Sequence, residues 1–486
     1  MKKSQIFISA IALLLLVTVY LVFSRPAKVD QSVAVLPFVN MNDDPEQVFL
    51  SDGLTEGILN SLARQEGLTV VARSSSFKFR EDDMGIQEIG KMLGVRSIVE
   101  GSLYLQGDQV RVTAQLINVE DSRHLWSQRY DGTSKDIFEI QDKIANTIAD
   151  VLLRDKGEVV TKRAANNEAY QAYLNGRAHW NLRTPDDLKK GIVYFEDAIA
   201  KDPQYGAAYG GMADCYLALG YGSYLAPKDA FPKAFDAATK ALALDSTLAE
   251  AHATLGHYMF YYKWDWAAAE QEFRKAISMN PNHELAYDWY GYYLTAMQRY
   301  DEAQVVLEKA SSLDPLSSPI AMDIGFSLYY SGAYDEAMAA LKTALDLNPK
   351  NPIAHIWMGR SLQAKQRYNE AISEYKQALE VTPGWNVAWA QIGNAYGVSG
   401  NTAEAKSVLD TLNSFASKKF VTSYGVALIH ASLGDKEEAF KWLDKAYDER
   451  SHWLVWLRTD PRWTPLRSDK RFAELLAKVG LPEVNE

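Results

Sequence analysis

Cysteine is nearly absent from this chain of 486 residues, with Cys215 as its single example. One cysteine cannot form an intramolecular disulfide or build a cysteine-based zinc site. Cys215 lies in an apolar helical pattern, so we expect a buried packing residue rather than a reactive thiol. Positive charge is also scarce, because 51 basic and 62 acidic residues leave a net charge of −11. An acidic body argues against nucleic-acid binding, which needs a basic face.

Recognisable catalytic patterns are missing as well. The eight histidines form no HExxH pattern and no tight cluster with carboxylates, and neither a Gly-x-Ser-x-Gly elbow nor a phosphate-binding glycine loop occurs. The sequence therefore predicts a protein that is not an enzyme and has no cofactor or metal. An enzyme with unrecognised chemistry stays as a minor alternative.

One long apolar run is present, at residues 6–23, and it contains no charged side chain. As a helix it would be about 27 Å long, just enough to cross a bilayer core. A cleaved signal peptide is the alternative, but Arg25 fits a cleavage site poorly. We therefore predict that residues 1–28 are a tail and a retained transmembrane anchor. Basic residues flank both ends, with a slight preference for the N-terminus in the cytoplasm.

Residues 29–155 have the pattern of a small α/β domain. Apolar and β-branched runs predict strands at residues 32–39, 68–72, 97–105 and 109–119, with 124–129 extending the sheet. The intervening patterns predict helices at residues 51–64, 86–93 and 136–153. Ser51 and Asp52 are candidate N-caps of the first helix, and Gly94 is expected to close the second.

Several runs in this region resemble the TolB amino-terminal-like domain. They lie at residues 32–38, 51–56, 71–77, 89–95, 99–102, 110–116 and 124–126. The resemblance covers residues 32 to about 152 and implies a fold more than an activity. Such domains occur beside helical repeats in bacterial membrane-bound transcription regulators and adenylate-cyclase-type signalling proteins. We find no DNA-binding or cyclase domain in this sequence.

The run from Arg73 to Ser76 follows a predicted strand and has two interpretations. Its hydroxyls and guanidinium are groups that hold an anion. Acidic residues such as Asp52 are expected at the same end of the sheet and would repel one. We therefore favour a structural role for Arg73 and turn capping by the serines.

Three residue types recur every 34 residues in one shared register in the second half of the chain. A proline that follows a helix, a glycine within a helix and an alanine in the next helix each keep this spacing. The glycines predict close helix–helix approach, and the prolines predict helix ends. The positions are Pro281, Pro315, Pro349 and Pro383; Gly291, Gly325, Gly359 and Gly393; and Ala303, Ala337, Ala371, Ala405 and Ala439.

This pattern resembles the tetratricopeptide repeat, a 34-residue helix pair. The resemblance implies an α-solenoid of about eight units over residues 169–453, after a linker at 156–168. Residues 454–486 are expected to form a C-terminal cap. Trp453, Trp456 and Trp463 are predicted to seal the open end of the stack. The predicted fold is mainly α, with the small α/β domain and one membrane helix before the solenoid.

Stacked helix pairs form a curved groove lined by the first helix of each pair, and the resemblance implies that this groove binds a protein or peptide. Aromatic side chains with a few polar groups suit peptide capture. Several of these aromatics have the alternative role of packing between helices. The candidate residues are His257, Phe260, Tyr261, Asp288, Tyr292, Phe326, Tyr329, Tyr330, Arg360 and Asn394.

These observations predict a non-enzymatic scaffold for protein–protein interaction. It would be anchored by one span in a bacterial inner membrane, with its soluble part on the periplasmic side. The alternative is a sensory or regulatory subunit of a membrane signalling or transcription-control system, with its output on another protein.

Overall fold

The computed structural model describes residues 31–42, 48–80, 82–133, 136–153 and 167–481. They form a small α/β domain followed by a long array of helices. The predicted anchor at residues 6–23 and most of the predicted linker lie outside the described residues. Within the described part, no helix has both the length and the apolar character needed to cross a membrane.

The α/β domain is built on one mixed sheet. Its strands are β1 Ser32–Val35, β2 Val39–Asn40, β3 Thr69–Val70, β4 Ser97–Gln106, β5 Gln109–Asn118 and β6 His124–Thr133. The strand order is β3-β1-β4-β5-β6, and β2 pairs with the end of β4. Strand β1 is parallel to its neighbours β3 and β4, whereas β5 is antiparallel to both β4 and β6. The run predicted as one strand is interrupted at Pro37, which has no N–H to donate.

Helices cover both faces of this sheet. They are α1 Val48–Ala63, α2 Arg73–Ser76, α3 Ile86–Leu93 and α4 Ile137–Leu153. Ile58 of α1 and Ile144 of α4 share the larger core, while Ile89 of α3 packs on the opposite face. Gly94 closes α3 in the left-handed conformation, as predicted. The N-cap prediction for Ser51 and Asp52 was wrong, because α1 begins three residues earlier and includes both.

The array consists of eight helical hairpins in the described residues. The first and second helices of each are α5 Asn167–Leu182 and α6 Pro185–Lys201, α7 Gly206–Tyr221 and α8 Pro227–Leu244, α9 Ala249–Tyr258 and α10 Trp266–Met279, α11 Glu284–Ala296 and α12 Tyr300–Leu313, α13 Ser318–Ser331 and α14 Tyr334–Leu347, α15 Pro352–Ala364 and α16 Tyr368–Val381, α17 Asn386–Val398 and α18 Thr402–Ala416, and α19 Ser423–Ser432 and α20 Lys436–Asp448. A π-helical turn, Met259–Lys263, extends α9.

The recurring glycines lie where the two helices of one hairpin meet. A Cβ atom at Gly325 would come within 2.6 Å of the Leu341 side chain, and one at Gly359 within 2.4 Å of Tyr375. No real Cβ atom makes such a contact, so the prediction of close helix approach is confirmed. Each recurring proline follows the end of a second helix by two residues, as expected for a helix stop.

The array curls until distant hairpins touch. Trp385, which precedes α17, donates its indole N–H to the carbonyl of Gly222 at the end of α7, at 3.3 Å. Beyond α20 the chain makes two 3₁₀ turns, His452–Trp456 and Pro461–Leu466, and ends in α21, Lys470–Val479. Trp266 of the third hairpin donates to the carbonyl of Gly480. The end of the chain therefore crosses the curl instead of extending the stack.

Candidate functional site

The first helices of the hairpins form the inner face of the curl, and this is where the structure places the predicted groove residues. All ten are buried, and none is more than 5% exposed. Phe260 and Tyr261 lie on the π-helical turn after α9, and the other eight lie on α9, α11, α13, α15 and α17. The groove is therefore not open at these residues, and another part of the same chain covers those at its centre.

The covering element is residues 451–467, named here the C-terminal segment. Trp456 is its central contact. Its ring stacks on Tyr330 with 4.7 Å between ring centroids, and meets Phe326 edge-on at 4.9 Å and Phe260 at 6.1 Å. These partners belong to the third and fifth hairpins. The prediction that Trp456 seals the end of the stack was wrong, because the residue lies in the middle of the inner face.

An ion pair fixes the second half of the segment. Arg462 and Asp460 pair at 2.6 Å, and the Asp460 side chain is completely buried. Burial disfavours a charged Asp460, but the Arg462 guanidinium outweighs this and lowers its pKa. Arg462 also donates to Gln391 at 2.5 Å. Trp463 donates its indole N–H to Tyr424 at 2.7 Å, and Tyr424 donates to Asp460.

Arg360 and Asn394 have roles within the array. The Arg360 guanidinium lies 4.2 Å from the Trp357 ring centroid and 5.2 Å from that of Trp453, and it donates to Gln391. The Asn394 side chain accepts from Gln363 at 2.7 Å and donates to the carbonyl of Leu428 at 2.9 Å. Asn394 therefore links successive first helices.

A buried carboxyl pair lies on the same face. Tyr292 donates its hydroxyl to Asp323, and Asp288 of the preceding first helix lies within hydrogen-bonding reach of Asp323. Burial raises the pKa of Asp288 to about 7 and raises the pKa of Asp323 well above its ordinary value. Neither carboxyl group forms an ion pair among the described residues, so no such pair offsets the burial that disfavours their charged forms.

Two histidines meet around Tyr221, one from the array and one from the C-terminal segment. The ring centroids of His257 and His452 lie 5.6 and 5.5 Å from that of Tyr221. Burial lowers the pKa of His452 to about 3 and that of His257 well below its usual range. Both imidazoles are therefore neutral, and they contribute packing rather than charge.

The α/β domain meets the array at the loops between hairpins. Asn282, in the loop before α11, accepts from the Val70 N–H at 3.1 Å and donates to the carbonyls of Ala63 and Leu68 at 2.8 and 2.9 Å. One repeat later, the Ala72 N–H donates to the carbonyl of Leu313. These bonds extend the edge of β3 onto the array.

The structure also settles the role of Arg73–Ser76. The hydroxyls of Ser74 and Ser75 both donate to Asp314, in the loop before α13. Arg73 pairs with Glu56 at 3.2 Å and with Asp52 at 3.6 Å. Because these groups bind carboxylates of the chain itself, the anion-site interpretation is wrong and the structural one holds.

An ion-pair chain carries this junction into the array. Glu56 of α1 also pairs with Arg177 of α5 at 3.4 Å, and Arg177 pairs with Asp214 of α7 at 3.5 Å. Asp214 accepts from Thr254 of α9 at 2.7 Å. Burial raises the pKa of Asp214 to about 6, although Arg177 and Thr254 oppose the shift. Helix α1 is thus joined to three consecutive hairpins.

The single cysteine and the possibility of a metal site complete the description of these groups. Cys215 is completely buried, and burial raises the pKa of its thiol to about 12. The described residues contain no group of three or more His, Cys, Asp or Glu side chains placed to hold a metal ion.

Family models match both parts of the molecule. Models of the tetratricopeptide repeat match residues 285–315 and 328–392. The helical array contains tetratricopeptide repeats. Residues 29–147 match the HilA/YgeH-like transcriptional regulator, second domain. The resemblance of this α/β domain to the TolB amino-terminal-like family stays a prediction.

Two bacterial proteins are similar in sequence over part of the chain. A putative adenylate cyclase 3 of Rhizobium meliloti (strain 1021) is 43% identical over 127 residues, 26% of this chain and 21% of the cyclase. The transcriptional regulator HilA of Salmonella typhimurium is 24% identical over 300 residues, 60% of this chain and 52% of HilA. This chain thus spans about half the length of HilA and about a fifth of that cyclase.

Three solved structures match parts of the chain at low TM-scores. PilF of Pseudomonas aeruginosa matches with 23% identity, 43% of this chain, 93% of the PilF chain and a TM-score of 0.32. PilW, a widely conserved type IV pilus biogenesis factor, matches with 19% identity and a TM-score of 0.34. The match covers 41% of this chain and 92% of the PilW chain. YrrB, a TPR protein with an unusual peptide-binding site, matches with 21% identity and a TM-score of 0.26. The match covers 39% of this chain and 93% of the YrrB chain.

Proposed function

We propose that this protein is a non-enzymatic scaffold that binds other proteins. The observation that supports this best is the array itself, an ordered stack of eight hairpins that is joined to the α/β domain through Asn282, Asp314 and the Glu56–Arg177–Asp214 chain. A stack of this kind is a broad, ordered surface with little chemical equipment, as expected for protein recognition. The anchor at residues 6–23 would place it on the outer side of a bacterial inner membrane.

Photocrosslinking in cells tests the scaffold proposal. A photoreactive residue would replace Val305 of α12 or Leu182 of α5, which are 66% and 60% exposed. The expected result is a reproducible crosslink to a defined partner protein. The same residue at Ala337, which is completely buried, is the matched control and should give no crosslink. Turnover of a small molecule by the purified chain would contradict the proposal.

Cell fractionation tests the anchor. The full chain should sediment with the inner membrane, and a chain that lacks residues 1–28 should not. Accessibility of an introduced cysteine at Leu182 to a reagent that cannot cross the inner membrane reports the side. Labelling only after lysis would contradict the periplasmic placement.

A regulatory subunit is the second candidate, and the match of residues 29–147 to a transcriptional-regulator domain favours it. The similarity to part of a putative adenylate cyclase points to the same class of signalling proteins. This function requires that a small ligand or partner change the state of the molecule. A thermal melt of the full chain across a library of metabolites would reveal a reproducible upward shift, and no shift with any of them would count against this candidate.

A further inference from the structure

The C-terminal segment contacts the array as a separate peptide would. It makes two short 3₁₀ turns rather than another hairpin. Its contacts run from Tyr221 of the second hairpin to Tyr424 of the eighth. Repeat units in a stack contact their neighbours, whereas a ligand in the groove contacts many units at once. By this criterion the segment is an occupant of the inner face.

The fit of this occupant combines ring contacts with a few hydrogen bonds, but it leaves other polar atoms without partners. On the segment, both ring nitrogens of His452, the indole N–H of Trp453, and Nε and Nη1 of Arg458 have no hydrogen-bond partner among the described protein atoms. On the array, the same is true of Nη1 of Arg360 and the hydroxyl of Tyr330. A buried polar atom that lacks a partner destabilises the arrangement that buries it. The docked state therefore carries a penalty that undocking would remove.

The connection to the last hairpin is short and ordered. Only residues 449–451 separate α20 from the first 3₁₀ turn. Arg450 has a φ of +55°, in the left-handed region that non-glycine residues avoid. Its guanidinium lies 4.3 Å from the Trp264 ring centroid, which holds the turn in place. The segment therefore leaves the last hairpin through a short, ordered turn.

We propose that the inner face is a peptide-binding site whose resting occupant is the C-terminal segment, and that an external peptide of the same chemistry replaces it. This inference rests on the scaffold function proposed above. The peptide would present two tryptophan or tyrosine side chains seven residues apart, as Trp456 and Trp463 are, with an acidic residue between them, as Asp460 is. The first aromatic would stack on Tyr330, and the acidic residue would accept from Tyr424.

A synthetic, fluorescently labelled peptide with the sequence of residues 451–467 tests this proposal on the full chain. The wild-type chain should bind it weakly, because the attached segment competes. Trp456→Ala should weaken the attached competitor and increase the affinity for the peptide by about tenfold or more. A peptide with alanine in place of both Trp456 and Trp463 is the matched control and should not bind either chain.

A milder variant, Trp453→Ala, keeps the test decisive if Trp456→Ala does not fold. Trp453 lies at the rim of the contact, 6.2 Å from Tyr424 between ring centroids, and its loss should raise peptide affinity about threefold. Hydrogen exchange over residues 451–467 should accelerate when the peptide binds.

Three results would overturn the proposal. One is no binding of the peptide to wild type or either variant, and another is equal binding of the control peptide. The third is a concentration-dependent dimer that exchanges segments, which would make a second copy the occupant. If any of these results is found while crosslinks at Val305 persist, the peptide-binding proposal fails and the scaffold proposal is unaffected. If peptide binding is found but no crosslink forms at Val305, the scaffold proposal alone fails.

Discussion

The C-terminal segment and the α/β domain both lie against the helical array, but different forces hold them. The centre of the segment is held by rings, with Trp456 between Phe260, Phe326 and Tyr330, and its second half adds hydrogen bonds to Gln391 and Tyr424. The α/β domain is held by hydrogen bonds and ion pairs at loops, through Asn282 and Asp314. A peptide that brings rings of similar volume can reproduce the contacts of Trp456. The junction bonds instead join backbone atoms of the α/β domain to side chains of the array, and each would leave a buried group without its partner if broken. From this comparison we expect the occupant of the inner face to be replaceable by a peptide and the domain junction to stay fixed.

The largest expected effect comes from removing the central ring of the C-terminal segment. Trp456→Ala removes a nearly fully buried ring from the centre of the inner face, and we expect a loss of about 3–5 kcal/mol in the free energy of unfolding. Urea unfolding followed by circular dichroism measures it. Val305→Ala, at a position 66% exposed, is the control and should stay within about 0.5 kcal/mol of wild type. Equal stability of the two variants would place Trp456 outside the inner face.

The next effect comes from removing the hydrogen bonds between the α/β domain and the array. Asn282→Ala leaves the Val70 N–H and the carbonyls of Ala63 and Leu68 without their partner, and we expect a cost of about 1–3 kcal/mol. Hydrogen exchange should accelerate in residues 63–72 and not at the inner face. Lys350→Ala is the matched control, because Lys350 occupies the same repeat position two units later and is exposed. Unchanged exchange in residues 63–72 would mean that Asn282 does not hold the junction.

A change in pH sharpens the comparison at the buried carboxyl pair. Burial raises the pKa of Asp288 to about 7, so the folded state keeps a proton that the unfolded chain releases near pH 4. This contribution to stability is present below about pH 4 and is lost as pH rises through about 7. The free energy of unfolding of wild type should therefore fall between pH 5 and pH 8. That of Asp288→Asn should fall by about 1–3 kcal/mol less.

Urea midpoints at the two pH values measure this difference. Glu336→Gln removes an exposed carboxyl from α14 and is the control, which should follow wild type. An identical pH response of Asp288→Asn and wild type would show that the pair does not titrate on unfolding.

The last two substitutions concern the array that both elements share, and one of them gives the smallest expected effect. Gly325→Ala places a Cβ atom 2.6 Å from Leu341 and should cost about 1–3 kcal/mol through overpacking. Gly210→Ala meets nothing within 4 Å and should stabilise the protein by about 0.5–1 kcal/mol through helix propensity. Thermal melting of the two variants should therefore shift in opposite directions. Shifts of the same sign would contradict the described hairpin packing.

The sequence predicted the hairpins because their determinants are local and repeated. Pro315 and Pro349 end helices, and Gly325 and Gly359 permit close packing whatever the rest of the chain does. The strands of the α/β domain were predicted within a few residues for the same reason, since alternation and turn residues act locally. Ser51 was misplaced as an N-cap because side-chain type alone cannot separate a cap from a buried helical serine.

The candidate site was harder to predict because its contacts join distant parts of the chain. The aromatic residues of the inner helices were found, but not their covering, since residues 452–466 have no periodicity that identifies their partner. A signal was present in the positions that break the repeat. Asn282, Leu316 and Lys350 are equivalent, and among the described residues the first two contact the α/β domain. Variation at a repeated position indicates an additional contact there.

Hydrogen exchange on the full chain without added peptide tests the central claim most directly. If residues 452–466 occupy the inner face, their amides should exchange as slowly as those of α11 and α13, within about a factor of ten, although they belong to no long helix or sheet. Exchange of that segment at the rate of an exposed loop, with α11 and α13 still protected, would show that the inner face is open and would contradict the account.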